Sequence, residues 1–268
     1  MLDERGAQHE DLKALVQAQF APVAQAYVTS RTHALGGDLA RLVALAALTG
    51  DEVVLDVATG GGHMALALAP FVRHVIASDL TLAMLHAARD HLVAQGFDRV
   101  SYVRCEAERL PCAPASLDLV CCRVAAHHFA DVQAFVTGAA QALRAGGRLL
   151  ISDHIGLEDP ELDAFMDRFE RWRDPSHVRA YSYRAWHSFC ATAGLEVVHQ
   201  EDDPREPYQF AEWTARIGMP VAEREALEHW LLAAPARLRE PFALTVEDGR
   251  VVSLRGHFGL IMARKPFI

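Results

Sequence analysis

The sequence predicts an α/β fold: a seven-stranded, mostly parallel sheet with an antiparallel last strand, helices on both faces, and a small helical cap inserted between the last two strands. Three observations carry this. Five β-rich apolar runs alternate with helix-forming segments over roughly residues 52–153, the pattern of parallel strands joined by crossover helices. The first run ends in Asp56-Val57-Ala58-Thr59-Gly60-Gly61-Gly62 and opens onto the strong helix formers of residues 63–69, so a glycine turn should lead into a helix N-terminus. The final apolar run has no helix after it and follows Glu247-Asp248-Gly249-Arg250, an Asp-Gly hairpin turn. A seventh strand entering through such a turn runs antiparallel to its neighbour.

In chain order, residues 9–28 carry helical spacing (Leu12, Leu15, Val16, Phe20, Val23) despite Pro22, and a second helix covers 37–48. Strand one is 52–58, and its helix runs to about 70. Strand two is Val75-Ile76-Ala77-Ser78-Asp79, followed by a helix with Leu82, Leu85, Ala88 and Leu92 on one face and Gly96 at its stop. Strand three is 100–105 and strand four 117–122. Asp131 caps a helix bearing Val132, Phe135, Val136, Ala139 and Leu143, which stops at Gly146-Gly147, and strand five is 148–153. Asp159-Pro160 starts another helix as cap and first residue. A helix around 183–193 leads through Gly194 into strand six, 195–199. All four tryptophans (Trp172, Trp186, Trp213, Trp230) lie beyond residue 155. The organisation is thus an N-terminal helical lid over 1–50, a core over 51–155, and a C-terminal part over 156–268 with the cap at about 201–240.

A formal charge of -9 argues against a nucleic-acid partner, since phosphate backbones want a basic face; a cationic or neutral small molecule suits it better. Five cysteines without a CxxC pair read as reduced, mostly buried thiols rather than a disulfide frame or zinc site. No apolar signal core begins the chain and no uncharged run approaches the ~18 residues that span a bilayer. The expectation is a cytoplasmic protein away from membranes.

A strand tip, a glycine turn and a helix start make a nucleotide-type cofactor site. Gly60-x-Gly62-x-x-Ala65 with Asp79 downstream matches the dinucleotide fingerprint, but a dehydrogenase strand runs apolar into its first glycine, whereas Asp56 precedes Gly60 by four residues. Five blocks in order, Asp56-Val57-Ala58-Thr59-Gly60-Gly61-Gly62, Asp79, Glu106-Ala107-Glu108-Arg109-Leu110-Pro111, Ser116-Leu117-Asp118-Leu119-Val120 and Leu143-Arg144-Ala145-Gly146-Gly147-Arg148-Leu149-Leu150, resemble the class I S-adenosylmethionine (SAM) methyltransferases. Within them the chain looks closest to the group around the ubiquinone/menaquinone C-methyltransferases. Its Ala126-His127-His128-Phe129-Ala130-Asp131 and 173–179 segments look more like uncharacterised bacterial members of that group.

The resemblance implies a Rossmann-like sheet, SAM as cofactor and S-adenosylhomocysteine (SAH) as product. By position, Ala58, Gly60 and Gly62 border the methionyl part of SAM, and Asp56 anchors its ammonium directly or through water. Asp79 at the tip of strand two accepts both ribose hydroxyls. Leu80, Met84 and Ala107 line the adenine, Glu106 accepts from its amino group, and Arg123 and Val124 flank the sulfonium and amino-acid end.

Methyl transfer needs a nucleophile in line with the breaking C–S bond and the exclusion of water. A phenol or acidic carbon also needs a proton removed, while an amine needs only its neutral form. Candidates lie where strand ends meet the aromatic C-terminal part: His128 after strand four, Asp153 and His154 ending strand five, and Tyr27 in the lid. His127 reads as a capping or packing residue and His33 as a surface one. Residues 173–179 could grip an anionic acceptor, but read better as a loop whose arginines pair with Glu170 or Asp174. A metal site from His127, His128, Asp153 and His154 is not supported by spacing. The expected function is methyl transfer to an O, C or N atom of a small-molecule acceptor; the alternatives are a nicotinamide-dependent oxidoreductase and a SAM-binding protein without turnover.

Overall fold

The computed structural model describes residues 4–29 and 37–267; His33 lies outside them. The N-terminal segment forms α1 (Glu4–Phe20), a 3-10 turn (Ala21–Val23) and α2 (Ala24–Thr29) rather than one helix. Pro22 sits in the first turn of the 3-10 segment, where its missing N–H costs nothing, whereas inside a continuous helix it would break the ladder. After α3 (Gly37–Ala46) come β1 (Val53–Val57), α4 (His63–Leu68), β2 (His74–Asp79), α5 (Leu82–Ala94), β3 (Val100–Arg104) and β4 (Leu117–Arg123). Then follow α6 (Val132–Ala142), β5 (Leu143–His154), α7 (Pro160–Arg173), α8 (Tyr183–Thr192) and β6 (Glu196–Asp202).

The main sheet has seven strands in the order β3-β2-β1-β4-β5-β10-β6, with β10 (Phe258–Arg264) antiparallel to both β5 and β6. Strand residues alternate between two cores, as the two-residue period of a strand dictates. Leu55, Val57, Val120 and Ile151 pack with Phe135 and Val136 of α6 and Trp186 of α8. Val54, Leu119, Cys121 and Leu150 pack with Leu42 of α3, Leu68 of α4 and Leu92 of α5. Burial on both faces is why β1 and β4 are apolar on both faces apart from Asp56, Asp118 and Arg123.

β5 begins earlier than the 148–153 expected. Leu143 pairs with Leu117, the register shifts there, and Gly146 enters the left-handed region at φ +77° within the strand. The glycine pair therefore forms an irregularity in β5 rather than a helix stop, since α6 already ends at Ala142.

The Asp248-Gly249 turn also has a different destination. It joins β8 (Thr245–Glu247) to β9 (Arg250–Leu254), and both residues take the positive φ that a two-residue hairpin requires. β9 stays in a small sheet, β7-β9-β8, with β7 at Tyr208–Gln209. The seventh strand is the separate β10. It runs antiparallel because the segment between β6 and β10 lies over the carboxyl ends of the strands, so the chain re-enters the sheet from that end. This segment carries α9 (Phe210–Arg216), α10 (Val221–Ala233) and α11 (Ala236–Arg239) besides the small sheet, and so extends past residue 240. Its Trp213, Leu227, Leu231 and Phe242 bury against Phe165, Met166 and Phe169 of α7 in a third apolar cluster.

Candidate functional site

A cavity of about 920 Å³ opens at the carboxyl ends of β1, β2, β4 and β5, under α1, α7 and α9. β1 and β4 are neighbours from which the strand order runs outward in opposite directions, the switch point where such sheets bind ligands. Both chains leave the sheet through left-handed residues, Ala58 (φ +54°) and Val124 (φ +55°). For the β-branched Val124 this conformation is strained.

The glycine turn follows. Gly60 takes φ +53°, and a Cβ built there meets nothing within 4 Å, so one side of the turn is an open cradle on the cavity. Gly62 does not reach the wall; at φ +81° it turns the chain into α4, where a Cβ would lie 2.6 Å from Leu92. Asp56 is buried beneath the turn, and its Oδ2 accepts from Thr59 Oγ1 (2.6 Å) and Ala65 N (3.1 Å). Its Oδ1 takes only the Cys121 thiol at 3.5 Å, and burial pushes its pKa up to about 6. Asp79 accepts from Gly60 N (3.0 Å) and Thr81 N (2.8 Å), one bond per oxygen. Burial pushes it, too, up to about 6, and each oxygen keeps a lone pair for a further donor.

Leu80, Met84 and Ala107 continue the wall beside Glu106, whose carboxylate meets Lys13 of α1 at 2.8 Å. Gln17 of α1 donates to the Leu80 carbonyl (3.0 Å), so this helix is fastened across the cavity mouth. Arg123 also reaches the wall, with its guanidinium gripped by Asp38 at 2.6 and 2.8 Å. Arg205 joins the same carboxylate at 2.9 Å and Asp203 at 2.6 Å.

The other end of the cavity holds a cluster of histidines. His127 Nδ1 lies 2.5 Å from Asp153 Oδ1, and Asp153 Oδ2 accepts from the Ala125 and His127 amides. Ring centroids of His128, His154 and His177 lie 4.1, 4.7 and 5.2 Å from that of His127. Burial disfavours charge on all four, but the Asp153 carboxylate outweighs it at His127, whose pKa is raised. Burial and the His127 charge push His128 down to about 4 and His177 to about 2, and hold His154 well below its ordinary value. His128 Nδ1 lies 3.0 Å from the Ser176 carbonyl. His154 Nδ1 and Glu170 Oε1, 3.6 Å apart, have no hydrogen-bond partner among the described residues, and burial lifts Glu170 to about 7. Tyr27 lines the cavity beside Phe20, and burial raises its pKa against the opposing charge of Arg173.

The residues singled out from the sequence thus meet on one cavity, apart from Gly62, which shapes it from behind, Asp153, which lies behind His127, and His33. His127 is the departure. Its spacing suggested packing, and the carboxylate that orients it comes from 26 residues downstream. The signal available in the sequence was that His127 and Asp153 fall at or just past the ends of strands four and five, which the structure makes parallel neighbours. Among the described residues no group of three or more His, Cys, Asp or Glu has metal-holding geometry, because Asp153 is committed to His127 and backbone amides. Among them also no helix is long and apolar enough to cross a membrane.

A cavity with an open glycine cradle, a buried strand-tip carboxylate with spare lone pairs and an apolar wall beside a second carboxylate fits a nucleoside joined to an amino-acid chain. Residues 55–151 match the family described as Methyltransferase domain. The chain is 34% identical to the uncharacterized methyltransferase YcgJ of Bacillus subtilis (strain 168) over 88% of its length and 94% of that protein's, and the crystal structure of YcgJ superposes with a TM-score of 0.80 over 85% of this chain and 97% of YcgJ. A Bacillus halodurans C-125 protein described as a methyltransferase superposes with a TM-score of 0.84 at 40% identity, covering 86% of this chain and 100% of that one. The ubiquinone biosynthesis O-methyltransferase of Xylella fastidiosa (strain 9a5c) is 35% identical over 70% of this chain and 68% of its own length.

Proposed function

Because the chain belongs to the class I SAM-dependent methyltransferases, we propose that its cavity directs the methyl group to a hydroxyl of a small-molecule acceptor, with His127 removing the proton. The nicotinamide alternative falls away with the family. The observation that carries the reading is the His127–Asp153 pair on the wall of a cavity whose other end is the glycine cradle and Asp79.

When bound, SAM supplies a methyl group activated by its positively charged sulfur. Asp79 would hold the ribose hydroxyls with its spare lone pairs; Leu80, Met84 and Ala107 would flank the adenine, and Glu106 would accept from its amino group while keeping Lys13. Ala58 and Gly60 would let the backbone approach the methionyl part, with Gly62 turning the chain into α4 behind them, and Asp56 Oδ1, which takes only the weak Cys121 thiol donor, would accept from its ammonium, directly or through water. Arg123 and Val124 border that end, with Asp38 fixing the Arg123 guanidinium.

Asp153 fixes the tautomer of neutral His127. With Nδ1 donating to the carboxylate, Nε2, which makes no hydrogen bond among the described residues, presents a lone pair to the acceptor's hydroxyl proton. Neutral His128 and His154 and the Tyr27 hydroxyl are placed to orient the acceptor, and Phe20 and Trp213 shield it from water. A cavity bridged at its mouth by α1 and a net charge of -9 support a small acceptor over a nucleic acid, as does the name of the ubiquinone-pathway relative.

The test is SAH release from SAM with a panel of phenols, hydroquinones and amines. Methylation of a hydroxyl, with kcat lowered roughly 10²–10⁴-fold in His127→Ala and SAM affinity retained, is the expected result. Turnover of an amine that His127→Ala leaves untouched would overturn the assignment of a base.

A further inference from the structure

We propose that the acceptor carries a carboxylate, received by Arg216 at the cap side of the cavity. This rests on the methyl-transfer reading of the same cavity and adds the chemical class of the substrate.

The charges on the acceptor side do not balance locally. Arg205 is spent on Asp38 and Asp203. Arg179 pairs with Asp163 at 2.7 Å and Arg171 with Asp167 at 2.8 Å, so neither serves the cavity. Arg173 reaches the wall half-committed. It lies 3.6 Å from Asp174, donates to the Trp213 carbonyl at 3.3 Å and sits over the Trp213 ring at 5.3 Å. Arg216, the last residue of α9, lines the same wall and makes no hydrogen bond or ion pair within the described residues. Burial first, and then the charge of Arg173, push its pKa down. Glu212, one turn earlier on α9, favours the charge but makes no ion pair with it among the described residues; a half-buried guanidinium that faces a second one without a paired carboxylate is costly, and an anionic ligand group lowers the cost.

The surrounding acids favour a single negative charge over two: Arg216 makes no ion pair among the described residues, Arg173 is partly neutralised by Asp174, and Glu170, Glu206 and Glu212 also line the cavity. A planar monoanion suits the guanidinium fork, whereas a phosphate dianion would bring a second charge towards these acids. Beside Arg216, Tyr208 and Trp213 stack face to face, with centroids 5.5 Å apart and planes 9° apart. An aromatic acid with a hydroxyl for His127 and a carboxylate for Arg216 satisfies both ends.

The experiment titrates the SAH-loaded protein calorimetrically with 4-hydroxybenzoate, 3,4-dihydroxybenzoate and 4-hydroxyphenylacetate, with their neutral amides, and with 4-hydroxyphenyl phosphate. At least one acid should bind roughly ten- to hundredfold tighter than its amide. Arg216→Gln should erase that preference while binding SAH as the parent does, and its Tm should be no lower, because an unpaired charge has been removed. Equal binding of acid and amide, a preference surviving in Arg216→Gln, tighter binding of the phosphate, or no binding of any acid would each overturn the proposal. Failure of SAH itself to bind would instead count against the methyl-transfer reading, and the acid–amide comparison on the ligand-free protein still decides this one.

Discussion

Asp79 and Asp153 are both buried at strand ends, yet burial has opposite outcomes. Asp79 has only neutral backbone partners and is pushed up to about 6. At Asp153 burial is outweighed by the charge and hydrogen bond of His127, and the carboxyl stays below its ordinary value. The first carboxylate can therefore be titrated near neutrality and the second cannot. SAM affinity, measured by calorimetry from pH 5 to 8, should fall as pH drops through about 6, because protonated Asp79 loses acceptor capacity. Asp79→Ala should weaken binding by roughly ten- to hundredfold and flatten the part of that dependence that Asp79 carries. His127 works with the opposite sign: a raised pKa keeps it protonated at low pH, so kcat should rise as pH passes that value. Asp153→Asn removes the charge that raises it. The acid limb should then move to lower pH while kcat itself drops; a limb that stays put would separate His127 from the proton transfer.

At the level of elements, the turn between β1 and α4 divides its labour between two glycines. Gly62 needs its conformation and its space, being at φ +81° against Leu92, whereas Gly60 needs the conformation alone. Gly62→Ala should cost stability through both strain and overpacking, about 2–4 kcal/mol. Gly60→Ala should cost only about 1–2 kcal/mol, yet its methyl would project into the cradle and reduce SAM affinity more than the Tm change implies. Thermal melts and titrations of the two variants separate the roles. Loss of affinity in proportion to stability for Gly60→Ala would remove it from the cofactor wall.

Across the whole molecule, one buried carboxylate connects parts distant in sequence. Asp38 of α3 holds Arg123 at the end of β4, Ser152 Oγ of β5 at 3.3 Å, and Arg205 after β6. Burial works against its charge, but the two guanidiniums hold its pKa below the ordinary value. A depressed carboxylate stabilises the fold above its unfolded pKa, and that contribution is lost as pH falls through the folded one. Asp38→Asn leaves two partly buried cations unmatched, so it should cost about 3 kcal/mol and lower Tm on the order of 5–10 °C at neutral pH. The deficit against the parent should shrink below pH 4. A variant with unchanged Tm would show that the N-terminal helices and the inserted segment are not coupled through this carboxylate.

The chain's periodicity and punctuation already determined the alternation of strands and helices, the glycine turn and the strand-tip acids Asp56 and Asp79, because each depends on residues adjacent in sequence: two-residue alternation for β1 and β4, glycines where φ is positive, a cap where Asp131 meets the Ala134 amide. The Asp248-Gly249 turn was equally legible, but not its place, since nothing local says whether the strand after a hairpin joins one sheet or another. His127 shows the same limit. Whether a histidine packs, caps or meets a carboxylate depends on Asp153, brought alongside only when β4 and β5 pair. The uncommitted state of Arg216 depends on where every other charge in the cavity has found its partner. Local geometry is written in short spans of sequence; charge pairing and cavity shape are sums over the folded chain, and only the tertiary structure decides them.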